Sequence, residues 1–288
     1  MRSFHFLVNP VSGGGKAPAA VLPVARLLRD AGADVEVTYS RGPDECAALV
    51  AGSAAAGRVV VAAGGDGMVS SLVGAVVAAD AVLGIVPAGR GNDFARQLGL
   101  DAEPASVARV LLEAPERRVD VIDVAGAVVA GSVYAGVDSV ASQVVERVRF
   151  LPGRLQYPYA AVRALATYQP AAYSIIVDGV LHRHRAATVV VANSGYYGSG
   201  MHIAPEASVE DGLLEVVVIC AASRWSLIRS MPKVYDGSHV GLDQVFVLRG
   251  REVTLSADRG VAAYADGEPL ATLPVTARVL PAALRVLA

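Results

Sequence analysis

The sequence has little of what marks a disulfide scaffold, a zinc site or a membrane-spanning protein. Its two cysteines, Cys46 and Cys220, lie far apart without CxxC or Cys/His spacing, so we expect two small buried side chains in a reducing compartment. Charged residues make up only 18% of the chain, and the net charge of −2 gives no general attraction to nucleic acid. No apolar stretch reaches the ~20 residues of a membrane-spanning helix. These absences predict a cytoplasmic protein with no transmembrane segment and no nucleic-acid partner.

Hydrophobic residues, in contrast, fill 53% of the 288 positions, which is enough for well-packed cores in two domains. Strand-like and helix-like segments alternate through residue 117, a pattern that predicts an α/β domain with a parallel sheet. From residue 118 onward, β-rich segments joined by Gly and Asp turns predict a mainly antiparallel second domain; one of the predicted strands is Ala127–Tyr134. Helical inserts are predicted near 139–149, 156–169 and 224–236. We therefore predict domains at 1–117 and 118–288, leaving open a return of the C-terminal tail to the first domain.

The strongest local signal is Gly64-Gly65-Asp66-Gly67, which follows the β-branched run Val59–Ala63. Glycines at such a turn let backbone N–H groups approach a phosphate, and the positive end of the following helix favours negative charge. Asp66, placed among those donors, is suited to bind Mg²⁺ or to position a transferring phosphoryl group. The alternative is a tight glycine turn in which Asp66 caps the next helix.

Two further glycine-rich loops follow predicted strands. The first runs from Asn9 to Lys16 and is not a Walker A loop, because Ala17 stands where Ser or Thr would ligate magnesium. The second runs from Pro87 to Arg96. Loops at the carboxyl ends of parallel strands converge on one crevice, so three such loops favour a shared phosphate site over three unrelated turns.

In this order and spacing, the motifs resemble the diacylglycerol kinase catalytic family, which includes sphingosine and ceramide kinases and bacterial lipid kinases. The resemblance extends over essentially the whole chain. It rests on Asn9-Pro10 with Gly13, Gly64–Gly67, Gly89–Ala95, Ala192-Asn193, Ala204-Pro205, Ser208 with Asp211–Leu214, and Asp266–Pro269. It implies a first domain like those of 6-phosphofructokinases and NAD kinases, and a second domain that is a β-sandwich. It also implies that ATP phosphorylates a lipid alcohol, by default diacylglycerol, in the cleft between the two domains.

The resemblance also implies roles for individual residues. The nucleotide-binding positions are Asn9, Ser40, Gly64, Gly65, Asp66, Gly67, Met68, Arg90, Asn92 and Asp93. Asp66 and Asp93 match acids near the reacting phosphates and their Mg²⁺, and Asp266 and Glu268 match the segment that holds the general base. A base suits the reaction, because a lipid hydroxyl is a poor nucleophile until a carboxylate accepts its proton. The alternative for Asp266-Gly267 is an ordinary type I′ turn.

A separate Mg²⁺ site is implied at Ser208, Asp211 and Leu213, where oxygen-only ligation with few charges suits this ion. The alternative is a turn before the next strand. The run His182–Arg185 supplies cations for anionic lipid headgroups at the cytoplasmic membrane surface, although such residues are often a solvated face. We thus expect a lipid partner and transient peripheral contact with the membrane; the sequence is silent on the oligomeric state.

Several positions depart from the family pattern. Met68, Ser70 and Ser71 stand where the family usually has Thr and then Asn-Glu, and Arg90 replaces a Thr or Ser. Arg90 could offset part of the loss by pairing with phosphate. Two other functions stay open: a kinase of a soluble substrate, as in the NAD kinase branch, and a catalytically weak regulator that binds nucleotide or lipid.

Overall fold

The computed structural model describes residues 2–10, 17–40, 43–147, 159–160, 163–164 and 167–288. Its first part alternates strands and helices, as the sequence pattern predicts. The elements are β1 (Ser3–Val8), α1 (Ala17–Asp30), β2 (Asp34–Tyr39), α2 (Pro43–Ala55), β3 (Val59–Gly64), α3 (Asp66–Ala78), β4 (Val82–Pro87), α4 (Asp93–Gln97) and α5 (Pro104–Glu113). The short helix α5 was not predicted; Pro104 opens it, and the Glu103 side chain accepts a hydrogen bond from the Ser106 N–H group.

The four N-terminal strands form a parallel sheet in the order β2-β1-β3-β4. Strands β3 and β4 are buried along their whole length, as expected of apolar strands covered on both faces. Leu28 of α1 and Leu111 of α5 pack in the core on one face, and Val50 of α2 and Leu72 of α3 pack in the core on the other. This arrangement leaves the carboxyl ends of the strands free to carry a site.

The second part is built mainly from antiparallel strands. The elements are β5 (Glu116–Val124), β6 (Ala127–Val129), β7 (Ser132–Gly136), α6 (Val137–Arg147), β8 (Ala171–Val177), β9 (Val180–Ala192), β10 (Tyr196–Tyr197), β11 (Met201–His202), β12 (Leu214–Cys220), α7 (Arg224–Asp236), β13 (Val245–Gly250), β14 (Glu252–Ala257), β15 (Ala262–Ala265), β16 (Glu268–Thr272) and β17 (Val275–Leu287). A buried core that includes Tyr173, Ile175, Val189, Val216 and Leu255 fills the sandwich interior. The predicted fold class is therefore confirmed.

The last strand joins the two parts of the molecule. Residues 285–286 of β17 pair in parallel with Val82 and Leu83 of β4, while most of the strand pairs antiparallel with β5. The β17 strand also pairs with β14, so one continuous sheet runs from the α/β part into the β-rich part.

One sequence prediction differs from the structure. The run Ala127–Tyr134, expected as one strand, is divided into β6 and β7. The break falls at Gly131, whose backbone N–H group donates to the carboxylate of Asp266, far away in sequence. The predicted helix 156–169 lies largely outside the described residues. Among the residues that the structure describes, no helix is long and apolar enough to cross a membrane.

Candidate active site

The glycine-rich loops lie together at one edge of the parallel sheet. Strand β3 lies between β1 and β4, and the Ala88 N–H group donates to the Gly64 carbonyl at 2.8 Å. A Cβ atom on Gly89 would lie 2.4 Å from the Cα atom of Gly65, so only glycine permits this approach of the two loops. Asn9 ends β1 beside them, and its N–H group reaches the Ala63 carbonyl at 3.4 Å. The rest of the first loop, with Lys16, falls outside the described residues.

Helix α3 starts directly at Asp66, with Gly65 as its N-cap. The exposed Gly67 lies in its first turn. The Met68 side chain is only 3% exposed and packs in the core beside Leu72, and its N–H group donates to the Gly65 carbonyl at 2.9 Å. A nucleotide contact at Met68 would therefore not involve its thioether, because the core holds that group.

Asp93 connects the glycine loops to the second domain. Its N–H group donates to Asp66 Oδ1 at 2.5 Å, and its own carboxylate accepts from the N–H groups of Ser199 and Gly200 at 2.9 and 2.7 Å. Burial raises the pKa of Asp93 to about 6, and the negative charge of Asp66 acts in the same direction. Asn92, at a φ of 51°, holds the loop with its Oδ1 atom, which accepts from the Gly89 N–H group at 2.8 Å.

Asp266 lies in a turn that is also part of the site. Asp266 and Gly267 have φ values of 45° and 93°, the positive pair of a type I′ turn. The carboxylate accepts hydrogen bonds from the N–H groups of Ser132 at 2.8 Å and Gly131 at 3.1 Å. Burial raises the pKa of Asp266 to about 6; the two backbone donors lower it, and the charge of Asp66 raises it further. Asp266 therefore combines both predictions, because it lies in a type I′ turn and also carries a half-buried carboxylate that is held by backbone donors.

Asp66 is hydrogen-bonded to the Asp93 backbone and lies within electrostatic reach of Asp266, since its negative charge raises the pKa of both other carboxyls. Glu268 lies two residues beyond Asp266, exposed at the start of β16. Arg90 is exposed in the loop between β4 and α4.

Ser40, at the end of β2, donates its N–H group to the Val8 carbonyl, and its Oγ atom lies 3.0 Å from Cys46 Sγ. The structure thus places Ser40 and Asn9 next to the ends of neighbouring strands β2 and β1. Their nucleotide contacts stay predictions.

The Ser208–Leu213 segment forms a turn whose carboxylate already has partners. Asp211 Oδ1 accepts from the Leu213 N–H group, and Oδ2 accepts from the Arg249 guanidinium, each at 3.0 Å. Ser208 Oγ accepts from the Glu210 N–H group at 3.3 Å. An ion bound through the carboxylate of Asp211 would compete with Arg249. Within the described ranges, no group of three or more His, Cys, Asp and Glu side chains is arranged to hold a metal ion. The Mg²⁺ ligand set stays a prediction.

A cavity under α7 was not anticipated from the sequence. It measures about 60 Å³ and lies in the second domain. Its apolar lining includes Tyr197, Met201, Ile203, Ile219, Leu227, Met231, Val234, Leu242 and Val245. Asp138 and Thr188 add polar groups; Thr188 Oγ1 donates to Asp138 at 2.6 Å, and burial raises the pKa of Asp138. These residues come from distant segments, so spacing in the sequence does not reveal them.

The β10–β11 hairpin links this cavity to the carboxylates. Tyr197 and Met201, on its two strands, line the cavity. Ser199 and Gly200, in the turn between those strands, donate their N–H groups to Asp93. The same short hairpin therefore contacts the glycine-loop site at its tip and borders the cavity with its side chains.

Other contacts fix the two parts of the chain to each other. Gln97 of α4 accepts from the Gly195 N–H group at 2.9 Å, and its Nε2 atom donates to the Ala207 carbonyl at 3.3 Å. The buried Asn193 donates to the carbonyls of Asp120 and Ala130. Asn193 belongs to a motif noted in the sequence; the structure shows that its amide group bridges backbone segments.

Comparison with known proteins agrees with this architecture. Residues 3–124 match the model of the diacylglycerol kinase catalytic domain, and residues 131–288 match that of the YegS C-terminal NAD kinase beta sandwich-like domain. A protein of Mycobacterium tuberculosis H37Rv named diacylglycerol kinase is 32% identical over 98% of this chain and 93% of its own length. A Pseudomonas fluorescens protein named "Probable lipid kinase YegS-like" is 32% identical over 90% of this chain and 87% of its own.

Solved structures share the fold. A crystal structure of a diacylglycerol kinase from Bacillus anthracis Sterne superimposes with a TM-score of 0.76 at 18% identity, covering 99% of this chain and 96% of the other. At that identity the likeness concerns the fold alone. The two domain matches and the 32% identity over nearly the full length together show that this chain belongs to the family of diacylglycerol kinases and YegS-like lipid kinases.

Proposed function

We propose that this protein is an ATP-dependent lipid kinase that phosphorylates the hydroxyl group of a lipid alcohol, with diacylglycerol as the default substrate and phosphatidate as the product. One arrangement carries the proposal. The Asp93 N–H group donates to Asp66 at 2.5 Å, and the Gly131 and Ser132 N–H groups hold the carboxylate of Asp266, whose pKa the charge of Asp66 helps to raise. This arrangement supports a phosphate-compatible loop within electrostatic reach of a candidate proton acceptor, as a phosphotransfer reaction requires.

The nucleotide phosphates are proposed to bind where β3 and β4 end. Gly67 leaves room for backbone contact, since a Cβ atom there would meet no atom within 4 Å, and the first turn of α3 directs its N–H groups toward the same edge. The exposed Arg90 adds a cation suited to phosphate. Asp66 fits a Mg²⁺ ion carried by the nucleotide, because Mg²⁺ binds one or two carboxylates together with phosphate oxygens and water. Such an ion would offset negative charge on the phosphates.

The acceptor hydroxyl is proposed to lose its proton to the Asp266–Glu268 segment. Its oxygen forms a bond to the γ-phosphorus of ATP, the bond from that phosphorus to the bridging oxygen breaks, and ADP leaves. Asp266 is held by two backbone N–H groups, and its pKa of about 6 leaves it ionised at neutral pH yet basic enough to accept a proton. Glu268 is the second candidate, because it is exposed two residues away.

The cavity favours a lipid over a soluble acceptor such as NAD. Its lining is mainly apolar and its volume is about 60 Å³, which suits the end of a hydrocarbon chain, while Asp138 and Thr188 offer polar contacts near its wall. The β10–β11 hairpin borders it and also contacts Asp93. An acyl chain in this cavity would therefore extend from a headgroup close to the carboxylates.

The test is transfer of labelled phosphate from ATP and Mg²⁺ to acceptors in mixed detergent micelles. Diacylglycerol, sphingosine, ceramide and NAD are offered separately, and nucleotide binding is measured in parallel. We expect a labelled lipid product with the wild type and none with Asp66→Ala. Label only in NAD would favour the soluble-substrate kinase. Intact nucleotide binding without transfer to any acceptor would refute the kinase proposal and favour a regulator.

A further inference from the structure

The outer face of α7 is unusual for a soluble surface. Trp225 is the only tryptophan of the chain and is 82% exposed, and Tyr235 on the same helix is 54% exposed. The opposite face contributes Leu227, Met231 and Val234 to the wall of the cavity. One helix therefore separates the apolar cavity from an exposed aromatic surface.

The same outer face carries positive charge. Arg224, Arg229 and Lys233 are all exposed, and the one acid of the helix, Asp236, lies at its last residue. The chain as a whole has a net charge of −2, so this excess of cations is local. The basic region continues onto β9, because the Ala221 N–H group, just before α7, donates to the carbonyl of the exposed Arg185.

Aromatic rings and cations have complementary places at a bilayer surface. Tryptophan and tyrosine favour the headgroup region, where the ring meets apolar groups and the polar atom stays hydrated. Arginine and lysine are attracted to the anionic headgroups of the same surface. A helix with this composition is suited to lie in the plane of the interface.

We propose that α7 is a membrane-docking helix, which binds an anionic lipid bilayer through Trp225, Tyr235, Arg224, Arg229 and Lys233. Docking in this orientation places the helix that covers the cavity directly on the lipid surface, so a lipid substrate can leave the bilayer next to its binding site. The role of α7 in substrate entry rests on the proposed lipid kinase function, but membrane binding itself requires no catalysis. An acidic protein as the partner is the competing explanation, and the test separates the two.

Because Trp225 is the only tryptophan, its fluorescence reports directly on docking. Wild-type protein without ATP is mixed with vesicles of phosphatidylcholine, with and without phosphatidylglycerol. With the anionic vesicles we expect emission to shift to shorter wavelength and to be quenched by brominated acyl chains. Binding measured by vesicle sedimentation should weaken at least about tenfold in Arg229→Glu/Lys233→Glu. The matched variant Arg26→Glu/Arg109→Glu replaces exposed cations of α1 and α5 and changes the net charge by the same amount. It should weaken binding much less than the α7 variant does.

Trp225→Ala should weaken sedimentation, whereas Leu22→Ala, which removes a 67% exposed side chain of α1, should not. Wild-type protein that does not bind anionic vesicles overturns the proposal and favours an acidic protein as the partner. Equal loss of binding in both charge variants also overturns it, because vesicle binding would then follow the net charge and not α7. In detergent micelles the α7 variants should keep wild-type phosphotransfer. If vesicle binding follows the prediction but no lipid is phosphorylated, the proposed function fails while the docking surface stands.

Discussion

Asp66 Oδ1 accepts a hydrogen bond from the backbone N–H group of Asp93, at 2.5 Å. The carboxylate of Asp93 in turn accepts from Ser199 and Gly200 in the second domain. These contacts form a continuous connection from the end of β3, through α4, to the β10–β11 hairpin. The glycine-loop site and the β-rich domain are therefore fixed to each other by buried polar interactions at the site itself.

Removing the Asp93 carboxylate should loosen this connection. In Asp93→Ala, two backbone N–H groups lose their acceptor at a buried position, which should lower the free energy of unfolding by about 1–3 kcal/mol. Denaturant titration measures the change. The control Asp243→Ala, at an exposed position, should leave stability within about 0.5 kcal/mol. Equal stability of both variants would show that the Asp93 carboxylate does not hold the second domain.

Three glycine substitutions distinguish a glycine that folding requires from a glycine that phosphate binding requires. A Cβ atom on Gly67 or Gly52 meets no atom within 4 Å, so Gly67→Ala and Gly52→Ala should both fold normally. Only Gly67→Ala should weaken ATP binding, by about tenfold or more, because its methyl group enters the phosphate region. Gly89→Ala should instead lower the free energy of unfolding by about 1–3 kcal/mol, because its Cβ collides with Gly65. Calorimetric titration with ATP that finds Gly67→Ala unchanged would place the phosphates elsewhere.

Activity should fall as the pH drops through about 6. Burial raises the pKa of Asp93 and of Asp266 to about 6, and the protonated form of Asp266 cannot accept a proton from the substrate. A raised pKa makes the folded chain bind protons that the unfolded chain does not, so these two groups add to the free energy of unfolding as pH falls from about 7 to about 5. The acid limb of the kcat/KM profile, which is the fall of kcat/KM at low pH, should therefore not be caused by unfolding.

The pH profile and a melting curve are measured over the same range. Because the carboxyl groups interact, the apparent pKa of the acid limb belongs to the set of interacting carboxyls and not to one residue. In Asp66→Asn, which is expected to lack activity, the carboxyl groups are titrated by NMR instead. The pKa values of Asp93 and Asp266 should both fall, since the charge that adds to the effect of burial is gone. Unchanged pKa values would contradict the proximity of Asp66 to the other two acids.

Filling the cavity should select against long acyl chains. Ser230 lines the cavity on α7, and Ser230→Phe places a ring there. We expect kcat/KM for a long-chain diacylglycerol to fall about tenfold or more relative to a short-chain one, with ATP affinity unchanged. Ser230→Ala removes the hydroxyl group without adding volume and should keep the wild-type ratio. An unchanged ratio in Ser230→Phe would exclude this cavity as the acyl site.

The sequence predicted the architecture well because local patterns control it. Alternation of strands and helices, buried β-branched runs such as Val59–Ala63, and glycines at strand ends are all short-range signals. Their convergence follows from a general property of parallel sheets. The type I′ turn at Asp266-Gly267, given as an alternative in the sequence analysis, was also predicted from two adjacent residues.

What the sequence did not reveal depends on contacts between distant segments. Asp266 accepts from Gly131, where a Cβ atom would lie 2.4 Å from Asp266 Oδ1, and this contact ends the strand predicted for Ala127–Tyr134. The sequence also did not reveal that the Met68 side chain packs in the core; its predicted place at the nucleotide site stays a prediction that concerns its backbone. The cavity has no local signature, because its walls come from α6, β9, β12 and α7.

The most direct test of the account is the initial rate of phosphate transfer from ATP to diacylglycerol in mixed micelles, compared between the wild type and Asp266→Asn. Glu268→Gln is assayed alongside to assign the proton acceptor, and ATP affinity is measured for each protein. We predict that kcat of Asp266→Asn falls by about 10²–10⁴ while ATP affinity is kept. Wild-type protein that binds ATP but transfers no phosphate to any lipid would contradict the central claim.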